Sequence, residues 1–441
     1  MSNAASLSDD QTKSPFALRT QDGGDFPEFR LWFGAGADDY HEGFNFERMR
    51  HERAERAREV MRKHDVASIL VTGAENVRYL TGFSWSEFQS QASYALFFAD
   101  HEPVIFAHAG SYQQMPDQAP WLTNWRIGRS WFSGVAGPAA TLEEARLFAG
   151  EIVEELTKRS LAGERLGVVG FDHYAKTALD DAGLEWFIAD DLLLEASQVK
   201  TIDEIHCLKQ VAAICNVGFE TARREARPGM RQSELTKIVR SALTHTEAEA
   251  VGAKVLSGPL SFERGLSGGD RTLEAGDIFY LLTCGTSFMG YTACLYRTYS
   301  VGFEPKPAYE RWYDELLQRM NLMVGAVKPG ASTADVAEHF PPASKWGYKD
   351  EAEVLSVELG HGIGLVNLDS RHVHYNWPVI NRQWSLDYPQ DLEPGMVLAI
   401  ESLEGTHRDA GVRLEDMVVV TDTGVALLDL YPRDKILVTG G

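Results

Sequence analysis

The order of strand-forming and helix-forming stretches changes character near residue 200, and that change constrains the fold more than any single motif. Before it, short apolar runs alternate with helical patterns. Residues 48–64 are dense in Arg, Glu, Ala and Met and predict a charged surface helix. Residues 68–72, 94–99 and 103–107 predict strands, with a turn between the last two. A helix is expected over 142–160 and a further strand over 165–170. Alternation of this kind points to a small α/β domain. After residue 200 comes one long helix, 200–225, with Asp203 and Glu204 at its positive end, a Pro228-Gly229 break, and a second helix over 232–248. From Ala253 onward strands dominate. Residues 278–284 and 291–301 read as an antiparallel pair around a turn at 285–290. A helix over 312–327 stops at Pro329-Gly330, and 397–402 and 412–421 are the last strong strands.

A chain of 441 residues exceeds one ordinary core. The expected organisation is a mobile tail over 1–28, an N-terminal domain over 29–200 and a C-terminal domain over 201–441. The 64 acidic residues outnumber the 42 basic ones, for a net charge of −22. That sign repels phosphate backbones, so no nucleic-acid partner is expected. No apolar run approaches the ~20 residues of a membrane helix, so no membrane partner is expected. The N-terminus shows no secretory pattern. Cys207, Cys215, Cys284 and Cys294 form no CxxC pair, which fits a reduced, cytoplasmic setting.

Four stretches of the second half carry the chemistry. They are Gly276-Asp277-Ile278 with Gly290-Tyr291 and Arg297-Thr298; Gly360-His361-Gly362-Ile363-Gly364-Leu365; 392–397 leading to Glu401; and 411–416, Gly-Val-Arg-Leu-Glu-Asp. In this order they resemble the pita-bread family of creatinase, aminopeptidase P, prolidase and methionine aminopeptidase. The resemblance implies an α/β (α+β) protein, with a smaller N-terminal α/β domain followed by a pita-bread catalytic domain. It also implies a homodimer whose neighbouring N-terminal domain lies near the site. In the metal-dependent members, two divalent ions activate a shared water. Two Asp, one His and two Glu hold them. Here the first Asp position falls on Thr283 and the second on Cys294, while His361, Glu401 and Glu415 match the other three.

Three readings of that set follow. A dinuclear hydrolase lacks its two negative bridging ligands. A single zinc or iron on Cys294, His361, Glu401 and Glu415 is chemically allowed, because thiolate, imidazole and carboxylate all suit zinc. With no metal cofactor, which is the expected state, His361 and the glutamates become acid/base groups, and clustered carboxylates in a dry pocket can hold a proton for donation. Creatinase is the metal-free precedent, but its second His falls on Leu368 and its substrate-binding carboxylate on Tyr296, which argues against creatine itself. The dimethylsulfoniopropionate lyase of this fold is similar around Ser257-Gly258-Pro259, Arg271 and 274–277. Its proton-abstracting Asp falls on Asn367, with Asp369 two residues on as a substitute base.

The expected function is a lyase acting on a small-molecule substrate. It would break a C–C or C–heteroatom bond, with His361 or Asp369 as base and Glu401 or Glu415 as acid. A creatinase-like C–N hydrolase is the alternative, and a non-catalytic binding module a third. Trp85, Phe88, Tyr291, Tyr296 and Trp377, with Arg297, His372 and His374, are candidate substrate contacts suited to an apolar or aromatic group or a soft cation. Each has a plainer reading: an aromatic as core, Cys294 as a small buried residue, Arg297 as a structural ion pair, the two histidines as loop residues.

Overall fold

The structure is a computed structural model and describes residues 44–84, 93–110, 112–131, 134, 136–262, 270–353, 359–365 and 376–440. In its first half, apolar runs form a six-stranded mixed sheet. The strands are β1 (Ser68–Thr72), β2 (Tyr94–Phe98), β3 (Val104–Ala107), β4 (Trp125–Ile127), β5 (Leu166–Val169) and β6 (Trp186–Ile188), in the order β4-β3-β2-β1-β5-β6. The helices are α1 (Phe46–Lys63), α2 (Ala74–Thr81), α3 (Met115–Gln118), α4 (Pro138–Lys158), α5 (His173–Asp181) and α6 (Asp190–Gln198). Side chains alternate across a strand, and two cores follow that alternation. Ile69, Val71, Ala95 and Phe97 pack with α1, α2 and α6, whereas Leu70, Leu96 and Phe98 pack with Phe148 and Ile152 of α4 and Leu179 of α5.

The second half opens with α7 (Ile202–Glu225). Thr201 caps it in a reciprocal box: its hydroxyl accepts from Glu204 N at 3.2 Å, and the Glu204 carboxylate accepts from Thr201 N at 2.8 Å. Then come α8 (Gln232–Thr244), β7 (Lys254–Ser257), β8 (Ile278–Leu282), β9 (Ser287–Phe288), β10 (Tyr291–Thr292) and β11 (Tyr296–Ser300). These are followed by α9 (Pro307–Ala326), α10 (Thr333–Ala337), β12 (Leu359–Gly362), β13 (Asn376–Ile380) and α11 (Arg382–Ser385). The chain closes with β14 (Val397–Thr406), β15 (Ala410–Val420), β16 (Val425–Leu427) and β17 (Leu437–Val438). The large sheet runs β13-β12-β14-β15-β11-β8-β7, with β16 on β15 and β17 on β11. One core joins α7 and α8 (Leu208, Val211, Phe219, Val239) to Leu281, Tyr299 and Met417; another joins α9 (Leu316, Met320) to Ile400, Leu414 and Val418. Among the described residues no helix is long and apolar enough to cross a membrane.

A buried polar network ties the two halves together. Arg53 of α1 is wholly buried and donates to Tyr291 Oη at 2.9 Å and Arg78 O at 3.0 Å. Tyr291 in turn donates to Glu204 Oε1 at 2.9 Å. Phe46 and Met49, at the start of α1, belong to the core of the second half. The structure therefore engages the Tyr291 hydroxyl at the domain junction. Removing one member of a buried charged set strands the others. Arg53→Met is expected to cost about 3–5 kcal/mol in urea unfolding by leaving Glu204 uncompensated. Tyr291→Phe, which removes one bridging hydroxyl, is expected to cost about 1–3 kcal/mol. An unchanged midpoint in both variants would contradict the junction.

Candidate functional site

The site is built by strand register. Residues directly opposite in an antiparallel pair point to the same face. Glu401 of β14 pairs with Glu415 of β15, Glu415 with Tyr296 of β11, and Tyr296 with Leu282 of β8, so one row across the sheet carries both glutamates and a tyrosine. β12 adds His361 opposite Ala399, two residues from Glu401. Glu415 is fully buried, and His361 and Glu401 are each 1% exposed. His361 Nε2 lies 3.8 Å from Glu415 Oε1. Its Nδ1 is 2.9 Å from Gly362 O, a carbonyl that only accepts. In the neutral ring Nδ1 therefore carries the proton and Nε2 presents its lone pair toward the carboxylates. Gly362 permits this strand packing, since a Cβ there would stand 2.1 Å from Trp377 O.

The β8–β11 hairpin continues past Leu282 and Tyr296. Thr283 N donates to Leu295 O at 3.0 Å and Gly285 N to Ala293 O at 3.1 Å. Between these bonds Cys284 and Cys294 face each other at a non-hydrogen-bonded position, where side chains approach most closely. Their sulfurs lie 2.7 Å apart, and Cys284 Sγ donates to Glu415 Oε2 at 3.7 Å. The donor atoms of Cys284, Cys294 and Glu415 all lie within 4.8 Å of one another. Contact with Cys284, then burial and the nearby Glu415 and Glu401, push the Cys294 thiol well above its usual range. Ala293 N donates to Thr286 O at 2.8 Å, so Gly285 and Thr286 together oppose Ala293 in a bulge that ends the pairing.

Thr283 faces the other way. Its hydroxyl meets Leu295 O at 3.4 Å and lies close enough to the Cys215 thiol of α7 to lower that thiol's pKa against the upward push of burial. The set expected from the sequence, Thr283 with Cys294, His361, Glu401 and Glu415, is thus corrected: period-two alternation turns Thr283 toward the helix and brings Cys284 in. Cys284 was missed because its role depends on hairpin register. Once Leu282 pairs with Tyr296, position 284 must oppose 294.

Arg297 is buried and lies between strands. It donates to Tyr296 O and Glu415 O, both at 2.7 Å, pairs with Asp429, and lies 3.5 Å from Asp416. It matches the structural ion pair among its two expected roles. Tyr296 packs with Leu256 and against Tyr280, ring centroids 5.6 Å apart. Arg413, not singled out from the sequence, precedes Glu415 by two positions on the same strand. Its guanidinium lies over Tyr280 at 5.4 Å and donates to Phe262 O at 2.9 Å. Trp377 is half-buried in β13. Trp85, Phe88, Asp369, His372 and His374 lie outside the described residues.

A pair of hard divalent ions does not fit these donors. Two cations about 3.5–4 Å apart require bridging carboxylates, and the aspartate positions are filled by a threonine turned to α7 and a neutral thiol. Glu415 Oε1 is buried with no hydrogen-bond partner among the described residues. Burying a carboxylate without full hydrogen bonding destabilises a fold. Glu415→Gln, with chelator present, is therefore expected to stabilise the protein by about 1–2 kcal/mol in denaturant unfolding. A loss of stability would mean that the charge is compensated.

Comparison with known proteins places this geometry. Residues 206–422 match metallopeptidase family M24, and residues 53–180 match the creatinase/prolidase N-terminal domain. The putative dipeptidase YkvY of Bacillus subtilis is 27% identical over 372 residues, 82% of this chain and 93% of that protein. The dimethylsulfoniopropionate lyase DddP of Roseovarius nubinhibens is 24% identical over 417 residues, 89% of this chain and 88% of that protein. Dipeptidase PepE from Mycobacterium ulcerans superposes with a TM-score of 0.70 at 22% identity, over 90% of this chain and 99% of that one. Prolidase from Pyrococcus furiosus superposes with a TM-score of 0.67 at 22% identity, over 85% of this chain and all of that one. The fold is thus the two-domain pita-bread architecture of the prolidases.

Proposed function

This chain belongs to metallopeptidase family M24, with a creatinase/prolidase N-terminal domain, and from that footing we propose that it hydrolyses a C–N bond in a small molecule without an aspartate-bridged pair of metal ions. The observation that carries the reading is the buried row in which His361 Nε2 faces Glu415 Oε1 at 3.8 Å, with Glu401 directly opposite Glu415. That gap is longer than a direct hydrogen bond, so a water seated beside the pair, rather than between its atoms, can touch both. His361 Nε2 takes a proton from the attacking water, whose oxygen bonds to the substrate carbon. One of the two glutamates delivers a proton to the departing nitrogen as the C–N bond breaks. Tyr280 and Tyr296 offer an aromatic wall, and the Arg413 guanidinium beside them offers a partner for a substrate carboxylate.

Curated relatives named as dipeptidases favour C–N cleavage over the lyase expectation. The lyase remains the second reading, supported by the likeness to DddP over most of the chain. A homodimer with the neighbouring N-terminal domain near the site belongs to the same proposal.

Glu401→Gln tests it. Turnover of a carboxylate-bearing amide or dipeptide should fall by about 10²–10⁴-fold, with the unfolding midpoint kept or raised. Full turnover in this variant would remove Glu401 from the mechanism. Release of an alkene product without water uptake would replace the hydrolase with the lyase.

A further inference from the structure

We propose that Cys284, Cys294 and Glu415 form a binding site for one thiophilic divalent cation of the zinc class, with a fourth coordination position left open beside His361. The site deepens the hydrolase reading and rests on it only for the use made of the open position.

Three observations converge. The first is placement. The cross-strand pair puts two thiols on one face, and register puts the Glu415 carboxylate on the same face, so three donors lie within 4.8 Å of one another. Tetrahedral zinc, with Zn–S of about 2.3 Å, sets its sulfurs somewhat under about 4 Å apart. The sulfurs here stand 2.7 Å apart and Cys284 Sγ stands 3.7 Å from Glu415 Oε2, so a cation needs the thiols to part by about 1 Å, within reach of side-chain rotation. The second is charge. Glu415 is fully buried, its Oε1 has no hydrogen-bond partner among the described residues, and a second carboxylate, Glu401, stands opposite. Both thiol protons leave to solvent on binding, so two thiolates offset the divalent charge and the net charge of the site is unchanged; what the cation supplies is a direct partner for the buried Glu415 carboxylate. The third is chemical type. Two sulfur donors favour zinc over magnesium or manganese, which prefer oxygen.

Three protein ligands with a vacant fourth position is the composition of a catalytic rather than a structural zinc site. His361 is not a donor in this set. Its Nδ1 is tied to Gly362 O and its Nε2 points to the same carboxylate, which suits it to take a proton from water held at the open position.

The test uses the full chain, purified under reductant, stripped with chelator, and titrated separately with zinc alone and cobalt alone. One equivalent of zinc per chain is expected, and a near-ultraviolet thiolate-to-cobalt charge-transfer band in the cobalt form. Cys284→Ser, Cys294→Ser and Glu415→Gln should each weaken binding by about 10²-fold or more, with Cys284→Ala as a second variant should the serine form misfold. His361→Gln should keep both the metal and the band. Cobalt bound without the band, or binding unchanged in both cysteine variants, would overturn the proposal. So would a Cys284–Cys294 disulfide whose reduction restores no cation uptake. A thiolate–cobalt band in a protein that hydrolyses no C–N substrate would uphold the site and remove the hydrolase reading. Hydrolysis undiminished by chelation and by Cys294→Ser would do the reverse.

Discussion

The site depends on one register pair, Tyr296 opposite Glu415, the point at which β11 and β15 meet. Past it the strands splay, and side chains take over the hydrogen bonds that the ladder drops. Thr298 Oγ1 donates to Arg413 O at 2.7 Å and accepts from Arg413 N at 2.9 Å, while the Arg297 guanidinium holds Tyr296 O and Glu415 O. Buried backbone groups must be paired, so these side chains satisfy the groups that the short β11–β15 ladder leaves open. Asp429 and Asp416 balance the buried guanidinium. Burial pushes the Asp416 carboxyl up, against the opposing pull of Arg297 and Arg433. The clamp acts on the carbonyl of Glu415 and leaves its carboxylate to the site.

Because register positions the donors, the scaffold is indifferent to what the donors are. A cross-strand row brings a thiol to the centre as readily as an aspartate, and the surrounding ladder does not change. Family membership thus determines where the groups stand and leaves their chemistry to individual residues. In this chain the exchange replaces hard, permanently anionic groups with soft ones that ionise only when something draws the proton away.

Much of the fold was readable in the sequence because long periodic segments declare themselves. The strand over 68–72 appears with the expected ends, and the helices at α1, α4, α7 and α9 lie within a few residues of expectation. The short helices α2, α5 and α6, of eight or nine residues, carry too little periodicity to separate from loops. At the site, His361, Glu401 and Glu415 were legible because each sits in a motif with its own glycine or strand signature. Cys284 and the orientation of Thr283 were not, because a one-residue change of register inverts every side chain and no local signal states the register. Tyr291 was legible as a motif residue but not as a junction, since its partners Arg53 and Glu204 lie far away in sequence.

The same long-range partnerships hold the described buried arginines away from the Glu415 carboxylate. Among the described residues three buried arginines lie in this region, and the hydrogen bonds and ion pairs they make there run to groups other than that carboxylate. Arg53 is held by Tyr291 and a backbone carbonyl, Arg297 by two carbonyls and Asp429, and Arg413 by Phe262 O and the face of Tyr280. Among the described residues the ion-pair partner of Glu415 is His361, at a distance longer than a hydrogen bond. A fold that buried Glu415 for packing alone would be expected to pair its carboxylate closely, since a buried carboxylate oxygen left without a hydrogen bond is costly. Local electrostatic cost of this kind is tolerated where a ligand or reacting group later offsets it, and here it coincides with the two thiols and the imidazole.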